Sequence, residues 1–184
     1  MRKFLNNYGF LFAVGGIILI LDQVSKTMVR IYLPLGDFWS PWNWLIPYAR
    51  LVHISNAGAA FGMLPRLRDI FTILSIVVVI AILYYFPKVP RNDWMLRLAM
   101  GLEFGGALGN LADRLTQGYV TDFVSIGRFP VFNVADASIS LGVVIMVLSL
   151  WSREKEYTPS EPADQNESAS ETPGSPLPED LRSE

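Results

Sequence analysis

An all-α membrane protein with four transmembrane helices, and a small extracytoplasmic β/helical element in its first long loop, is the fold class this sequence predicts. Three observations carry that prediction. The 184 residues are 51% hydrophobic, with a mean hydropathy of +0.32, which is membrane-protein composition rather than that of a soluble domain. Four apolar runs, at about 8–29, 70–86, 96–111 and 132–151, approach the roughly 20 residues a spanning helix needs. Charge is segregated: from Ser152 onward nine Asp or Glu face three Lys or Arg, while the first 151 residues carry twelve basic and eight acidic groups. A basic membrane domain over 1–151 therefore precedes an acidic tail over 152–184, whose Ser, Pro, Glu and Asp content predicts disorder.

The first run follows Arg2 and Lys3, as a signal peptide would. It is longer than such a segment, lacks a small-residue cleavage pattern and carries Asp22 and Lys26, so it is read as a retained helix. Those two lie four residues apart on one helical face, suited to an ion pair. Asp22 sits about 12 Å inside Arg30 at helical rise, where an unpaired charge is expensive. The loop at about 31–69 holds Trp39, Trp42, Trp44 and Tyr48, aromatic types that settle at a bilayer interface. Within it, 43–55 is strand-like, and Asn56–Met63 (NAGAAFGM) supplies small residues for a tight turn. The second run is strongly apolar and β-branched. The third carries Gly101, Gly105, Gly106 and Gly109, small residues that let membrane helices approach closely, and Glu103, to which no role is assigned. The fourth opens on Asn133 and Asp136.

Four spans put both termini on one side. Arg2, Lys3, the basic turn at 88–97, Arg153 and Lys155 make that side cytoplasmic. On this topology Asp22, Asn56, Asn110, Asp113, Asp122, Asn133 and Asp136 gather near the outer face, scattered in sequence but at one depth. Carboxylates at the mouth of a membrane bundle are costly to desolvate and raise a functional hypothesis.

The absence of cysteine excludes disulfides, thiolate metal sites and a Cys nucleophile. His53, the single histidine, is expected in a loop strand without catalytic duty. No cluster has metal-ligand composition beyond the carboxylates, so neither metal nor other cofactor is expected, and nothing points to nucleic acid. What remains is a carboxylate pair. Two such groups close together share one proton: the ionised member takes a proton from water while the protonated member polarises a carbonyl. This is aspartic peptide hydrolysis. Spacing does not fix which two of Asp113, Asp122 and Asp136 pair. Asp113, beside Arg114, suits an ionised structural anchor, and Asp122 with Asp136 is the favoured choice. Rival chemistries are a serine peptidase using Ser25 or Ser55 with Lys26, and a proton-relaying transporter.

Five blocks carry a family resemblance: LDQVSK at 21–26, NAGAAFGM at 56–63, GGALGNLADR at 105–114, VTDF at 120–123 and FNVAD at 132–136. In this order, over about 15–148, the chain resembles the lipoprotein signal peptidases (signal peptidase II), bacterial membrane aspartic peptidases. The resemblance implies Asp122 and Asp136 as the catalytic pair. It implies Asp22, Lys26, Asn56, Gly58, Asn110, Asp113, Arg114 and Asn133 as residues that bind substrate or support the site. The substrate it implies is a prolipoprotein whose cysteine carries diacylglycerol, cut just before that cysteine at the outer leaflet of the bacterial inner membrane. Membrane lipids are the other expected partner, and a monomer is expected. The acidic tail lies outside the family pattern.

Overall fold

The structure is a computed structural model that describes residues 2–57 and 65–156. Four helices are formed: α1 (Arg2–Tyr32), α2 (Pro65–Tyr85), α3 (Trp94–Thr116) and α4 (Val134–Glu156). Gly58 and the acidic tail from 157 lie outside the described residues. Three helical stretches, Tyr8–Tyr32, Arg68–Lys88 and Val134–Ser152, are long and apolar enough to cross a membrane. The first expected span thus runs three residues further than predicted. The fourth begins later, because Phe132 and Asn133 precede the helix.

The third expected span is the exception. α3 is a 23-residue helix but does not meet the apolarity that marks the other three. Its packing explains the difference. α3 contacts α1, α2 and α4, and twelve of its residues are buried, Arg97, Asn110 and Asp113 among them. A helix enclosed by three others has no broad outward stripe, so apolarity is not demanded of it. The outer helices show the converse: Ile17 and Ile20 of α1, Ile73 and Val77 of α2, and Val143 and Val147 of α4 are all exposed. Outward apolar faces of this extent need a covering medium.

Glycine lets α4 lie close against α3. A β-carbon built on Gly106 would stand 2.5 Å from the Ala135 carbonyl oxygen and 2.8 Å from Ile139 Cγ1. At one end of the bundle Leu11, Ile82, Phe86, Met100 and Phe104 form the apolar core. Arg97 reaches over the Phe86 ring at 4.2 Å, and Asp93 caps α3 by accepting the Leu96 N–H at 3.2 Å. The polar residues are left to the other end, where α1 and α3 finish and α4 begins.

A small antiparallel sheet closes that polar end. Its strands are β1 (Phe38–Trp39), β2 (Ala49–Asn56) and β3 (Val120–Ile126), in the order β1-β2-β3. Of the stretch expected to be strand-like, 43–55, the part from Ala49 onward forms β2, whereas Asn43–Leu45 is a short 3-10 helix and β1 lies ahead of it. The α3–α4 connection, to which no element is assigned from the sequence, is not helical: it forms β3. The sequence VTDFVSI is rich in β-branched residues, and β2 supplies the partner it needs, with Ile54 opposite Asp122 and Asn56 opposite Val120. His53 lies buried in β2 and ties the sheet to α1, its Nδ1 2.7 Å from the Leu33 carbonyl oxygen. Gly106→Ala should cost about 1–3 kcal/mol through overpacking against the α4 backbone. Thermal unfolding in detergent would show it as a lowered midpoint; an unchanged midpoint would mean that α4 yields freely.

Candidate active site

Asp122 projects from β3 and Asp136 from the first turn of α4. Asn133, with no exposed surface, joins them. Its Nδ2 donates to Asp122 Oδ1 at 2.7 Å, and its backbone N–H donates to Asp136 Oδ2 at 3.3 Å. In return the Asp136 N–H donates to Asn133 Oδ1 at 2.9 Å, a reciprocal cap that fixes the start of α4. Asn56, from the end of β2, donates to Asp122 Oδ2 at 2.8 Å. Asn110, on α3, donates to Asp136 Oδ1 at 2.7 Å. Two carboxyl groups are therefore held by three carboxamides drawn from three elements.

Asp122 is only 3% exposed. Burial pushes its carboxyl up to about 6; the amide of Asn56 opposes this, and the neighbouring Asp136 charge adds to it.

Beneath the pair lies a buried ionic layer. Asp22, Lys26 and Asp113 have no exposed surface. The ion pair expected from the Asp22–Lys26 spacing is present at 2.8 Å, and Lys26 also meets Asp113 at 3.1 Å. Gln23 donates to Asp22 Oδ2, to Asp113 Oδ1 and to the Gly109 carbonyl. A β-carbon on Gly109 would lie 2.5 Å from Asp22 Oδ2, so the glycine makes room for the carboxylate.

The expected pairing of Asp113 with Arg114 is not what forms. Asp113 takes Lys26 and, at 3.4 Å, Arg30. Arg114 instead donates to Ser75 Oγ at 3.1 Å and to the Asn110 carbonyl at 3.4 Å, tying α2 to α3. Adjacent residues on a helix point about 100° apart, so nearness in sequence did not bring them together. Gln23, Arg30 and Thr121 were not singled out from the sequence. Arg30 was findable, since Asp22, Lys26 and Arg30 recur at steps of four on one face. Gln23 and Thr121 had no such signal.

The serine alternative finds no geometry. Ser25 Oγ donates to the Asp22 carbonyl at 2.9 Å, and the Lys26 ammonium is occupied by acceptors rather than free to act as a base. Among the described residues no three His, Cys, Asp or Glu side chains gather as metal ligands.

Residues 14–152 match the family model described as signal peptidase (SPase) II. The chain belongs to the signal peptidase II family. A lipoprotein signal peptidase of Halothermothrix orenii is 38% identical over 143 residues, which cover 76% of this chain and 93% of the relative. One of Desulfitobacterium hafniense is 40% identical over 144 residues, covering 77% and 93%. A solved bacterial membrane enzyme superposes with a TM-score of 0.73 at 30% identity, over 83% of this chain and 94% of that one. The chain is thus a peptidase of family A8 and a multi-pass bacterial membrane enzyme, and the medium that its outward apolar faces require is the bilayer.

Two outcomes follow from the site. Asp113→Ala removes the partner of two cations and should destabilise the fold by about 3–5 kcal/mol, read as a large fall in the unfolding midpoint. Asp122 is stabilising in its protonated form; its favourable contribution is complete below the unfolded value of 3.8 and is lost as pH rises through about 6. The stability of wild type relative to Asp122→Asn should therefore fall as pH rises from about 3.8 to about 6, by up to about 3 kcal/mol, and change little above that. A difference that does not change with pH would contradict the assignment.

Proposed function

We propose that the peptidase removes the signal peptide from diacylglyceryl-modified prolipoproteins, cutting before the lipidated cysteine, with Asp122 and Asp136 activating a water. The observation that carries this reading is the Asn133 side chain and backbone N–H reaching both carboxyl groups at once. Asp122, its carboxyl raised by burial, holds the shared proton and directs it at the scissile carbonyl oxygen. Asp136 lies in the first turn of α4, where a helix N-terminus favours an anion, and takes a proton from the attacking water. Water oxygen bonds to the carbonyl carbon as the Asp122 proton passes to the carbonyl oxygen, giving a tetrahedral diol. Its collapse breaks the C–N bond as the proton held by Asp136 passes to the leaving nitrogen and one diol O–H returns its proton to Asp122. Neither metal nor thiol is required.

In this reading α3 is the fourth span, shielded from lipid by its neighbours. Both termini are cytoplasmic, the site sits near the outer leaflet, and the enzyme acts as a monomer. The domain comprises residues 1–151, and the acidic tail follows from 152. The substrate enters sideways from the bilayer, so each acyl chain stays in hydrocarbon, worth about 0.8 kcal/mol per buried CH₂. An apolar cavity of about 270 Å³, lined by Met28, Val29, Tyr32, Leu33, Trp39 and Leu51, begins one helical turn beyond Lys26 and suits such a chain.

The test is cleavage of a diacylglyceryl-modified precursor by purified protein. Asp122→Asn and Asp136→Asn should each lose at least ~10³-fold in kcat while remaining folded, because Asn keeps the shape and removes the ionisable carboxyl. Asp113→Asn should lose stability before turnover. Near-normal kcat in either of the first two would rule out the pair.

A further inference from the structure

An ammonium has three N–H bonds to place and tolerates no empty one when buried. Lys26 places them on Asp22 Oδ2 at 2.8 Å, Asp113 Oδ2 at 3.1 Å and Asn110 Oδ1 at 2.9 Å. What those acceptors hold in turn is informative. Asp22 Oδ1 accepts the N–H of Ala135 at 2.9 Å, one residue before Asp136. Asp113 Oδ2 accepts the N–H of Thr121 at 3.0 Å, one residue before Asp122. Asn110 itself donates to Asp136 Oδ1. Each acceptor of Lys26 thus leads to the backbone beside one member of the pair, or to its carboxyl group.

The lysine also decides which way the amides face. Having only donors, it turns Asn110 Oδ1 toward itself and leaves Nδ2 for Asp136. Asn133 is oriented in the same manner: its Oδ1 accepts from the Asp136 N–H, so its Nδ2 serves Asn110 Oδ1 at 3.2 Å and Asp122 Oδ1. Around the ring the amide nitrogens of Asn56, Asn110 and Asn133 each donate to a carboxylate or to another amide oxygen.

We propose that Lys26 is a positioning residue for hydrolysis. One ammonium ties the strand that carries Asp122 to the helical turn that carries Asp136, and sets the direction of the Asn110 amide between them. The proposal rests on the catalytic-pair reading above. The plain alternative is that Lys26 only neutralises two buried acids, a task Arg30 shares through Asp113. Charge balance alone would need no particular direction of Asn110; positioning does.

Lys26→Met alone would leave Asp22 without its cation and Asp113 with Arg30 alone, and is expected to lose the fold. The test therefore compares wild type with the charge-conserving pair Asp22→Asn/Lys26→Met, in which the new amide oxygen can still accept the Ala135 N–H and no ammonium faces the new amide nitrogen. Unfolding midpoints of the two should match within a few degrees. With the diacylglyceryl-modified precursor, the paired variant should show kcat ~100-fold below wild type, the scale of a sub-ångström to ångström misplacement, and KM within ~3-fold, because ground-state binding is untouched. Lys26→Arg keeps the charge but offers a planar fork in place of three diverging donors, and should lose ~10-fold or more in kcat at an unchanged midpoint. The proposal is overturned if the paired variant turns over like wild type, or if KM rises while kcat holds, which would make Lys26 a substrate contact. Should the paired variant not fold, Lys26→Arg decides: full kcat overturns the proposal and reduced kcat at the wild-type midpoint supports it. Failure of the catalytic-pair reading would show separately, as turnover retained in Asp122→Asn or Asp136→Asn.

Discussion

A buried ammonium between two buried carboxylates is the constraint from which the polar end of this molecule is built. Removing such groups from water costs several kcal/mol per ion, and their mutual attraction offsets this only when the remaining hydrogen-bonding positions are filled as well. Lys26, Asp22 and Asp113 meet that condition by recruiting backbone: the N–H groups of Ala135 and Thr121 complete the two carboxylates. Those N–H groups belong to the start of α4 and to β3. Satisfying the charges and assembling the site are therefore one event, and the sheet and the fourth helix cannot drift apart without exposing an ion to an apolar interior.

The same constraint accounts for α3. It supplies Asn110, Asp113 and Arg114 to one end and glycines to its faces, and this mixture leaves it less apolar than its neighbours. A helix with that composition is tolerable inside a bundle and unfavourable against lipid. The outer helices take the opposite task, presenting isoleucine and valine outward. Polar function is thus confined to the helix that lipid does not reach, and to the ends of those that it does.

Much of this was legible in the residues, and the parts that were not share a cause. Helices are long and their signal is local, so four apolar runs gave four helices, and the Asp22–Lys26 pair followed from a spacing of four. β3 was not anticipated, because a strand of seven residues depends on a partner more than sixty positions away, and β-propensity alone does not name it. Arg114 was placed beside Asp113 by adjacency, whereas helical geometry sends the two in different directions. Gln23 and Thr121 contribute through a side-chain amide and a backbone N–H, groups so common in any sequence that only tertiary packing gives them a role. Asp122 and Asp136 were favoured from their setting, but their connection through Asn133 is a three-dimensional fact.

The inner layer also bears on the chemistry that the pair can perform. Asp22 and Asp113 carry two negative charges and Lys26 and Arg30 two positive, so the layer is close to neutral as seen from the site. Among the influences on Asp122, the Lys26 charge is the weakest, and burial is the strongest. A cation free to face the pair would hold both carboxyls ionised, and neither could then donate to a carbonyl oxygen. Committing the lysine to other acids leaves burial to dominate, so the Asp122 carboxyl keeps its proton to a higher pH than an ordinary carboxylate does. The lysine reaches the surroundings of both aspartates through its three acceptors and is too well occupied to neutralise them, as the proposed hydrolysis by this carboxyl pair requires.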